Sequence, residues 1–494
     1  MDSETFNFNM KNPYALPNKS RATYGTEFEV IQPLEANADG LLQPEQFEYT
    51  FPLRHLNSVY SFSRDTGFRV TMALQRQEAD GSWAKVQESD GKHLFLRNDF
   101  MEFFFANTKL MAYDRPVLHP SEGYQNSNGL LFAALKSFLD EKFLKQEYPM
   151  TNDLVKFNSW DKSKYKLAST NNDDNAYQKL FEQFYTGVDR NGYGTFFYSP
   201  SIFPFFQQSI GKENNVGVFS VLTKDAADRR LHIKTILPDL EKKTCFGYLG
   251  SANPPSKYRF KVTRLELIVK RGLLLDSFVK TIPREIKYNL LRFKTFHKSI
   301  KGTYNDLFFD FYDVYFPSSI LVFCTSKYAL SVDQALGHDA QAQASDSFKD
   351  IKLKSATFWF DSVKIISGEE NGPLNFREKD MARNHIYRCF QSNAFTEDPK
   401  QAISMDDYFN QEKNRFLHYF MPLNATGTKT GGSFFYNPKE SFSATRFTKR
   451  SDAKLKLDIG TQEFTHPWEI IVYFFYPIEL SMNLAKMSFE NPIV

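Results

Sequence analysis

The chain has 494 residues, of which 41% are hydrophobic and 24% charged, so its composition is that of a folded globular protein and excludes disorder throughout. The 61 basic and 58 acidic residues give a formal net charge of +3, which argues against a strongly electrostatic nucleic-acid binder. The 51 phenylalanines outnumber the 23 glycines, and aromatic residues favour strands and large buried cores. The length predicts two domains.

Residues 1–44 are expected to form a polar N-terminal arm and entry segment. A few basic residues are balanced there by Asp2 and Glu4, so this segment is not a polybasic tail. No apolar signal-peptide core follows, and no apolar run approaches the roughly 18 residues of a membrane span. We therefore expect a protein that is not secreted and does not span a membrane.

The first half predicts a strand, a turn and a short helix, and later a strand with an irregularity. Residues 103–105 are three phenylalanines typical of a buried strand, and residues 131–139 place apolar side chains on one helix face after the N-cap Asn128. Apolar residues alternate from Arg259 to Lys270, but the phase slips at Thr263–Arg264, which predicts a β-bulge.

The junction and the second half continue this pattern. A third helix is predicted around Leu274 to Thr281, as a bridge between domains. Apolar runs at Ile320–Cys324 and Trp468–Tyr476 are bounded by proline and predict strands buried on both faces. Lys454–Ile459 alternates strictly, as a half-buried antiparallel strand does. Residues 382–390 again fit one helix face.

Long polar stretches separate several of these elements. Such excursions are uncommon in compact domains and often carry surface functions. They lie at residues 152–177, 334–349 and 424–443. The sequence predicts exposed loops at these three places.

The two halves repeat one pattern at a constant offset. Phe103–Phe105 aligns with Phe358–Phe360, a separation of 358 − 103 = 255 residues, and Lys109–Leu110 aligns with Lys364–Ile365. Turn-rich stretches and then amphipathic helices follow in both halves. Residue identity across the window is at chance level, so coincidence between two aromatic strands is the alternative to a duplicated and fused domain.

Chemical motifs are sparse. The cysteines at 245, 324 and 389 are far apart in apolar contexts, which favours reduced core thiols in a protein made inside a cell, with a single disulfide as the alternative. No histidine or cysteine spacing suits zinc, and the glycine-rich Gly427–Gly432 lacks the Gly-Lys-Ser/Thr of a phosphate loop. We therefore assign no catalytic, cofactor-binding or metal-binding residues and expect no cofactor.

Two segments allow a functional and a structural interpretation. Asp173–Asp174 could bind a cation with neighbouring asparagine oxygens, although a hydrated loop is the more usual role of such a cluster. Lys287–Tyr288 and Arg292–Lys298 mix aromatic and basic residues and could stack on nucleic acid. For the second segment the structural interpretation is a strand with inward aromatic residues and outward lysines.

Several stretches, in chain order, resemble the double jelly-roll major capsid protein of Polinton (Maverick) elements, which is related to the capsid proteins of virophages and adintoviruses. The likeness covers most of residues 45–489 as an order of weak motifs. It depends on residues 192–209 with Phe203-Pro204-Phe205-Phe206-Gln207, 257–271, 286–330 with Asp306-Leu307-Phe308 and Ile320–Phe323, 386–390, 403–408 with 416–420, and 453–489. The residues from Met487 to Val494 and the loop Gly427–Ser433 depart from the family pattern.

The resemblance implies an all-β protein with a few short helices, a double jelly roll of two eight-stranded β-sandwiches in tandem. The implied domains are a first jelly roll at 45–272, a bridge at 273–284, and a second jelly roll with a C-terminal tail at 285–494. It also implies a homotrimeric, pseudo-hexameric capsomer that tiles an icosahedral shell around a DNA genome. The contact between chains would then be heterologous and closed by rotation.

The resemblance further implies a non-enzymatic virion protein, assembled in the host cytoplasm or nucleus. Its expected partners are copies of itself, neighbouring capsomers and a minor or penton capsid protein, with at most weak non-specific contact with packaged DNA. Two alternatives stay open. One is a β-sandwich binding protein such as a virion spike or lectin. The other is a bicupin-like enzyme, which would need a metal cluster or paired carboxylates that the motifs do not supply.

Overall fold

A computed structural model describes the parts of the chain that form the strands and their immediate connections. These parts are residues 23–33, 47–50, 58–61, 67–85, 94–96, 105, 107–112, 115–118, 193–198, 217–220, 231–236, 246–248, 258–276, 280, 285–317, 319–326, 351–366, 374–375, 419–423, 449–483 and 488–490.

Thirteen strands are described before residue 275. They are β1 Thr23–Ile31, β2 Phe47–Thr50, β3 Ser58–Ser61, β4 Gly67–Gln77, β5 Trp83–Lys85, β6 Leu94–Leu96, β7 Asn107–Ala112, β8 Arg115–Leu118, β9 Tyr193–Tyr198, β10 Gly217–Ser220, β11 Leu231–Ile236, β12 Phe246–Tyr248 and β13 Tyr258–Leu274. A seven-stranded sheet has the order β10-β3-β13-β4-β5, with β1 paired to β13 and β9 paired to β4. A four-stranded sheet has the order β2-β11-β7-β8, and β12 pairs with β6.

Eight described strands follow and form one sheet. They are β14 Glu285–Val314, β15 Ser319–Ser326, β16 Ser355–Phe360, β17 Val363–Ile366, β18 Leu374–Asn375, β19 Phe420–Pro422, β20 Ser451–Asn483 and β21 Ser488–Glu490. The order is β17-β16-β20-β15-β19. In addition, β14 and β21 each pair with β20, and β18 pairs with β16. All pairings between described strands are antiparallel, and none joins a strand of the first half to one of the second.

The core of the first half lies between its two larger sheets. Phe68 of β4 and Phe105, just before β7, stack with ring centroids 4.6 Å apart, and both are fully buried. The Thr108 hydroxyl donates to the Phe105 carbonyl at 2.9 Å and lies 2.9 Å from the Thr235 hydroxyl of β11. These bonds satisfy polar groups inside the core, where an unmade hydrogen bond would cost stability.

The second half is built around a ribbon of β14 and β20 that folds back on itself. Phe296 and Phe311 of β14 pack with ring centroids 4.6 Å apart, although 15 extended residues would span about 50 Å. The ribbon bends where the β14–β20 register shifts, between Ile300 and Gly302 and again between Tyr304 and Asp306. Gly302 has φ +106°, a conformation that side chains disfavour, which suits glycine to the bend.

Folding of the ribbon brings its two arms face to face around Phe474. This residue of β20 is 0% exposed, and its ring centroid lies 5.1 Å from that of Phe296, 4.5 Å from that of Phe311 and 5.9 Å from that of Phe358 in β16. We call these four rings the Phe474 cluster. The opposite face of β20 is also buried, since Tyr473 packs against Phe293 and Phe323.

Several predictions from the sequence are confirmed. The β13–β4 register shifts between Val262 and Arg264, where the bulge was expected. Ile320–Cys324 and Trp468–Tyr476 are buried throughout and pair with each other. In β20, Lys454–Ile459 alternates as expected: Leu455, Leu457 and Ile459 are buried, and the lysines and aspartate between them are more exposed. Cys324 is a reduced thiol buried in β15.

The predicted bridging helix begins later than expected. Leu274 still belongs to β13, and the backbone N–H of Lys280 donates to the carbonyl of Asp276 at 3.4 Å, which is the spacing of a helical turn. β1 lies inside the predicted arm of residues 1–44 but pairs with β13 over eight positions, so that segment contributes to the first sheet. The domain boundaries themselves remain predictions.

Some predictions concern residues outside the described parts of the chain. They are the helices at 131–139 and 382–390, the three polar loops, Cys245, Cys389, and Phe103–Phe104 of the repeat. Within the repeat, β7 and β17 fall at the expected offset, but β17 pairs with β16 whereas β7 pairs with β11 and β8. In the described part, no helix has the length and apolarity needed to cross a bilayer.

Candidate functional site

Among the side chains that the structure describes, no group of three or more histidine, cysteine, aspartate or glutamate residues is arranged to hold a metal ion. The cation candidate Asp173–Asp174 and the glycine-rich Gly427–Gly432 lie outside the described residues. Polar side chains cluster instead at three places. These are the outer face of the first sheet around Glu266, the pairing of β14 with β20 around Glu469, and the outer face of β14 around Asp306.

A buried carboxylate lies on the outer face of the first sheet. Glu266 of β13 is 0% exposed although the neighbouring Leu265 and Leu267 point into the core. Its Oε1 accepts from Gln32 Nε2 at 2.6 Å and lies 2.5 Å from Arg264 Nη2, and its Oε2 accepts from Arg69 Nε at 2.6 Å. The two arginines and the glutamine therefore cover the carboxylate from three sides.

The charge state of Glu266 follows from this surrounding. Burial by itself would raise the pKa of the Glu266 carboxyl, but the hydrogen bonds from Gln32 and Arg69 and the charges of Arg69 and Arg264 outweigh it. The pKa of Glu266 is therefore held below its ordinary value. The group is an anion that ties β13 to β4 through Arg69 and to the residue after β1 through Gln32.

A serine, a histidine and a glutamate meet where β14 pairs with β20. The Ser299 hydroxyl donates to Glu469 Oε1, and His297 Nδ1 lies 3.6 Å from Glu469 Oε2. Glu469 is 3% exposed. In a hydrolytic triad the serine donates to the histidine, which activates it, and the acid only orients the ring. Here the serine bonds the acid directly, so the three residues are not arranged as a hydrolytic triad.

For the basic segment Arg292–Lys298, the structure corrects the prediction that all aromatic residues point inward and all lysines outward. Phe293 is buried as expected, but Phe296 is on the same side of β14 as Lys294, whose Nζ lies 5.5 Å from the Phe296 ring centroid. The alternation fails because aromatic residues contact both sides of this part of the strand, Tyr473 on one side and the Phe474 cluster on the other. Phe296 is therefore packed against other rings of the protein while remaining partly exposed.

The first of two exposed apolar surfaces lies on β1. Phe28 is 62% exposed and Val30 is 44% exposed, and their i, i+2 spacing places both on the outer face of the sheet. Lys270 of β13 has its Nζ 5.9 Å from the Phe28 ring centroid. We define the β1 patch as Phe28, Val30 and Lys270. In the described residues β1 pairs with β13 alone, so the patch borders a sheet edge.

The second exposed apolar surface lies on β14. Phe308 is 54% exposed and Tyr312 is 73% exposed, and Asp306 and Asp310 alternate with them on the outer face. Lys456 lies 3.3 Å from Asp306 and 5.5 Å from the Phe308 ring centroid. We define the β14 patch as Asp306, Phe308, Asp310 and Tyr312. Among the described strands β14 pairs only with β20, so this patch also borders an edge.

Sequence reasoning found neither patch nor the Glu266 cluster. The cluster joins residues as far apart as Gln32 and Glu266, and no local pattern links them. Phe28 and Val30 alternate with glutamates, a pattern that indicates a half-buried strand but not which face is exposed. The large exposed apolar residues in the described part of the chain are Phe28, Val30, Phe308 and Tyr312, two in each half.

Comparison with known proteins identifies the fold. No family model matches the chain, and no curated protein matches its sequence. A chain in the cryo-EM structure of the Sputnik virophage superposes with a TM-score of 0.52 at 8% identity, covering 96% of this chain and 90% of that chain. The mavirus major capsid protein gives a TM-score of 0.48 at 10% identity, covering 96% and 91%. The Faustovirus major capsid protein gives 0.47 at 7% identity, covering 93% and 91%.

The likeness to the Sputnik virophage chain is one of fold. It spans nearly the whole length of both chains, so it includes both halves of this one. Together with the strand content, it confirms the predicted fold class: the chain is an all-β double jelly roll.

Proposed function

We propose that this chain is a major capsid protein, a structural component that builds the shell of a virus-like particle. The observation that carries the proposal is the shared double jelly-roll fold with a virophage chain over 96% of this chain. Fold alone does not determine function, so the surfaces of the molecule must suit assembly as well.

A double jelly roll suits hexagonal tiling. Three chains with two sandwiches each would present six similar walls, so one protein could surround a threefold axis with a pseudo-sixfold outline. A trimer of this kind needs a heterologous contact closed by rotation, in which two different surfaces of each chain take part. The β1 patch in the first half and the β14 patch in the second half supply one exposed apolar surface each.

The polar clusters support a structural role over an enzymatic one. Glu266 is fully engaged with Arg69, Arg264 and Gln32, and Ser299 donates to Glu469 rather than to His297. We therefore propose that the protein is not an enzyme. Stoichiometric zinc, iron or manganese in the purified protein, measured by elemental analysis, would contradict this and favour the bicupin-like alternative.

The finer points of the proposal follow from the family resemblance in the sequence. We propose a Polinton-like source, a location in the virion capsid after assembly inside the host cell, and a minor or penton capsid protein as a partner. Contact with packaged DNA is proposed to be weak and non-specific, in keeping with the net charge of +3. The boundaries 45–272 and 285–494 are proposed for the two jelly rolls, with β1, which lies before residue 45, joining the first sheet through its pairing with β13.

The test is the mass in solution by size exclusion coupled to light scattering. One chain is 57.4 kDa, so a homotrimer has 3 × 57.4 = 172.2 kDa. We expect a trimer, with shells visible by electron microscopy in concentrated samples. A monomer at every protein and salt concentration would overturn the capsid proposal and leave a β-sandwich binding protein as the better account.

A further inference from the structure

We propose that residues 5–11 form a further strand that pairs with the open edge of β1 and extends the first sheet. What is known of this segment is its sequence, because it lies outside the described parts of the chain. The partner assigned to the edge of β1 is therefore a segment of the same chain. The pairing does not depend on the proposed capsid function.

β1 has one apolar and one acidic face, and the acidic face is turned inward. Ile31 is buried on the core side, and the period of two along a strand places Glu27 and Glu29 on that same side. Phe28 and Val30 lie on the opposite, outer face and are exposed. Residues directly across a strand pair share a face, so a matching strand supplies apolar side chains outward and polar or basic ones inward.

Residues 5–11 have this two-sided pattern. Phe6, Phe8 and Met10 are spaced by two, which places them on one face of a strand, and asparagines stand between them. Lys11 continues the polar face. Strict alternation of this kind predicts a half-buried strand. Both of its faces match those of β1.

The connection between the two segments sets their relative direction. It has 23 − 11 − 1 = 11 residues and contains Pro13 and Pro17. Parallel strands need a crossover of a dozen or more residues, usually a helix, and a proline inside a helix breaks it. Short connections instead join antiparallel neighbours, and proline is common in their turns. The two segments are therefore expected to form an antiparallel hairpin.

The charges select the register of this hairpin. Arg271 of β13 bonds the Glu27 carboxylate, whose side chain remains 52% exposed. Opposite charges directly across a strand pair stabilise it. Lys11 opposite Glu27 would place the carboxylate between two cations, one from each flanking strand. Paired residue numbers then sum to 11 + 27 = 38.

The same register also matches the apolar residues. It sets Phe8 opposite Val30 and Met10 opposite Phe28, since both pairs of numbers sum to 38. Both pairs then lie on the outer face, where apolar cross-strand neighbours stabilise a sheet. Among the described strands β1 pairs with β13 alone, so the added strand would also bond the backbone groups of its open edge.

Hydrogen exchange of the unaltered, full-length chain is the first test, because it needs no substitution. The backbone N–H groups of residues 5–11 that face β1 should exchange at least about tenfold more slowly than those of an unstructured peptide. Exchange of the whole segment at the unstructured rate would overturn the proposal.

Pairs of introduced cysteines test the partner and the register. Phe8→Cys with Val30→Cys should form a disulfide at least about tenfold faster than Phe8→Cys with Thr26→Cys, since four residues along a strand span about 13 Å and a disulfide bridges at most about 7 Å. The linked product should be a single chain of 57.4 kDa under denaturing conditions. A product of 2 × 57.4 = 114.8 kDa, which places the segment on another copy, or equal rates for the two pairs, would contradict the proposal.

A charge reversal with a matched control tests the register independently. Lys11→Glu should slow formation of the disulfide between positions 8 and 30 about threefold or more at low salt, since it sets like charges opposite each other. Lys19→Glu makes the same change in the connection, outside the paired segment, and should leave the rate unchanged. Equal rates for the two variants would refute the pairing of Lys11 with Glu27. Variants with one introduced cysteine measure any reaction with the native cysteines, and circular dichroism checks folding.

Discussion

Replacing Phe474 by alanine tests whether the folded ribbon holds the second half together. Phe474 is fully buried and contacts the rings of Phe296, Phe311 and Phe358, which come from both ribbon arms and from β16. Phenylalanine-to-alanine changes in cores cost about 3–5 kcal/mol, because the lost transfer free energy adds to that of the cavity. With three rings left unsupported, we expect about 4 kcal/mol for Phe474→Ala.

The matched comparison is Phe308→Ala in the same sheet. Phe308 is 54% exposed, so it contributes about half of the 1.5–3 kcal/mol that full burial of such a side chain provides, or about 1 kcal/mol. For a cooperative unit of 150–250 residues, 1 kcal/mol shifts Tm by about 2–4 °C. We therefore expect Phe474→Ala to lower Tm by about 8–16 °C and Phe308→Ala to lower it by about 2–4 °C.

The assay is differential scanning calorimetry at several protein concentrations. A loss of core packing lowers Tm equally at all concentrations, whereas a weakened contact between copies lowers it more in dilute samples. The first pattern is expected for both variants, with the larger shift for Phe474→Ala. Equal, concentration-independent shifts for the two variants would refute the account of Phe474 as the centre of a folded ribbon.

Three further measurements test other parts of the structure. Glu266→Gln should lower the free energy of unfolding by about 1–3 kcal/mol at neutral pH. The loss is smaller than for a fully buried ion pair, because Arg69 and Arg264 are partly solvated. The pKa of Glu266 is lowered on folding from an ordinary value of 4.5, so its contribution to stability is present above that pH and is lost on acidification. Between neutral pH and pH 3 the variant should therefore lose less stability than the unaltered protein, as measured by urea titration. Gly302→Ala should lower the free energy of unfolding by about 1–2 kcal/mol in the same titration. A Cβ at this position meets no atom within 4 Å, so the cost is that of holding the backbone at φ +106°. An unchanged midpoint would show that the bend does not need glycine. If 45–272 and 285–494 are separate cooperative units, calorimetry should resolve two transitions, and Phe474→Ala should shift one of them alone.

The parts of the fold that were predictable from sequence are those with a local signal. The bulge near Thr263 appears as a slip in alternation, and the doubly buried Trp468–Tyr476 appears as a continuous apolar run. The bend at Gly302 has no such signal, because a single glycine in a long strand pattern also fits a simple bulge. It becomes evident only when Phe296 and Phe311 are seen in contact.

The surfaces were harder to predict than the core. In β1 the alternation of Glu27, Phe28, Glu29 and Val30 suggests that the apolar residues face inward, yet the core side of this strand is the one that carries Ile31. A glutamate in an apolar strand pattern does not indicate which residues will cover its carboxylate. Arg69 lies 197 residues from Glu266 in the chain and Gln32 lies 234 residues from it. Pairing between distant strands decides these features, and a single sequence does not encode them locally.

The long pairing of β14 with β20 also bears on how the protein is made. Glu285 pairs with Asn483 and Val314 pairs with Ser451, separations of 483 − 285 = 198 and 451 − 314 = 137 residues. During synthesis β14 emerges from the ribosome well before its partner, and at 5–20 residues per second it waits for roughly 7–40 seconds. Until β20 arrives, neither the Phe474 cluster nor the ribbon exists, so Phe308 and Tyr312 are not yet arranged as a surface. While β14 waits, its apolar residues and its unpaired edge are exposed, and unpaired strands of this kind are prone to associate with other chains. A ribosome that stalls before β20 would therefore leave β14 open to incorrect association.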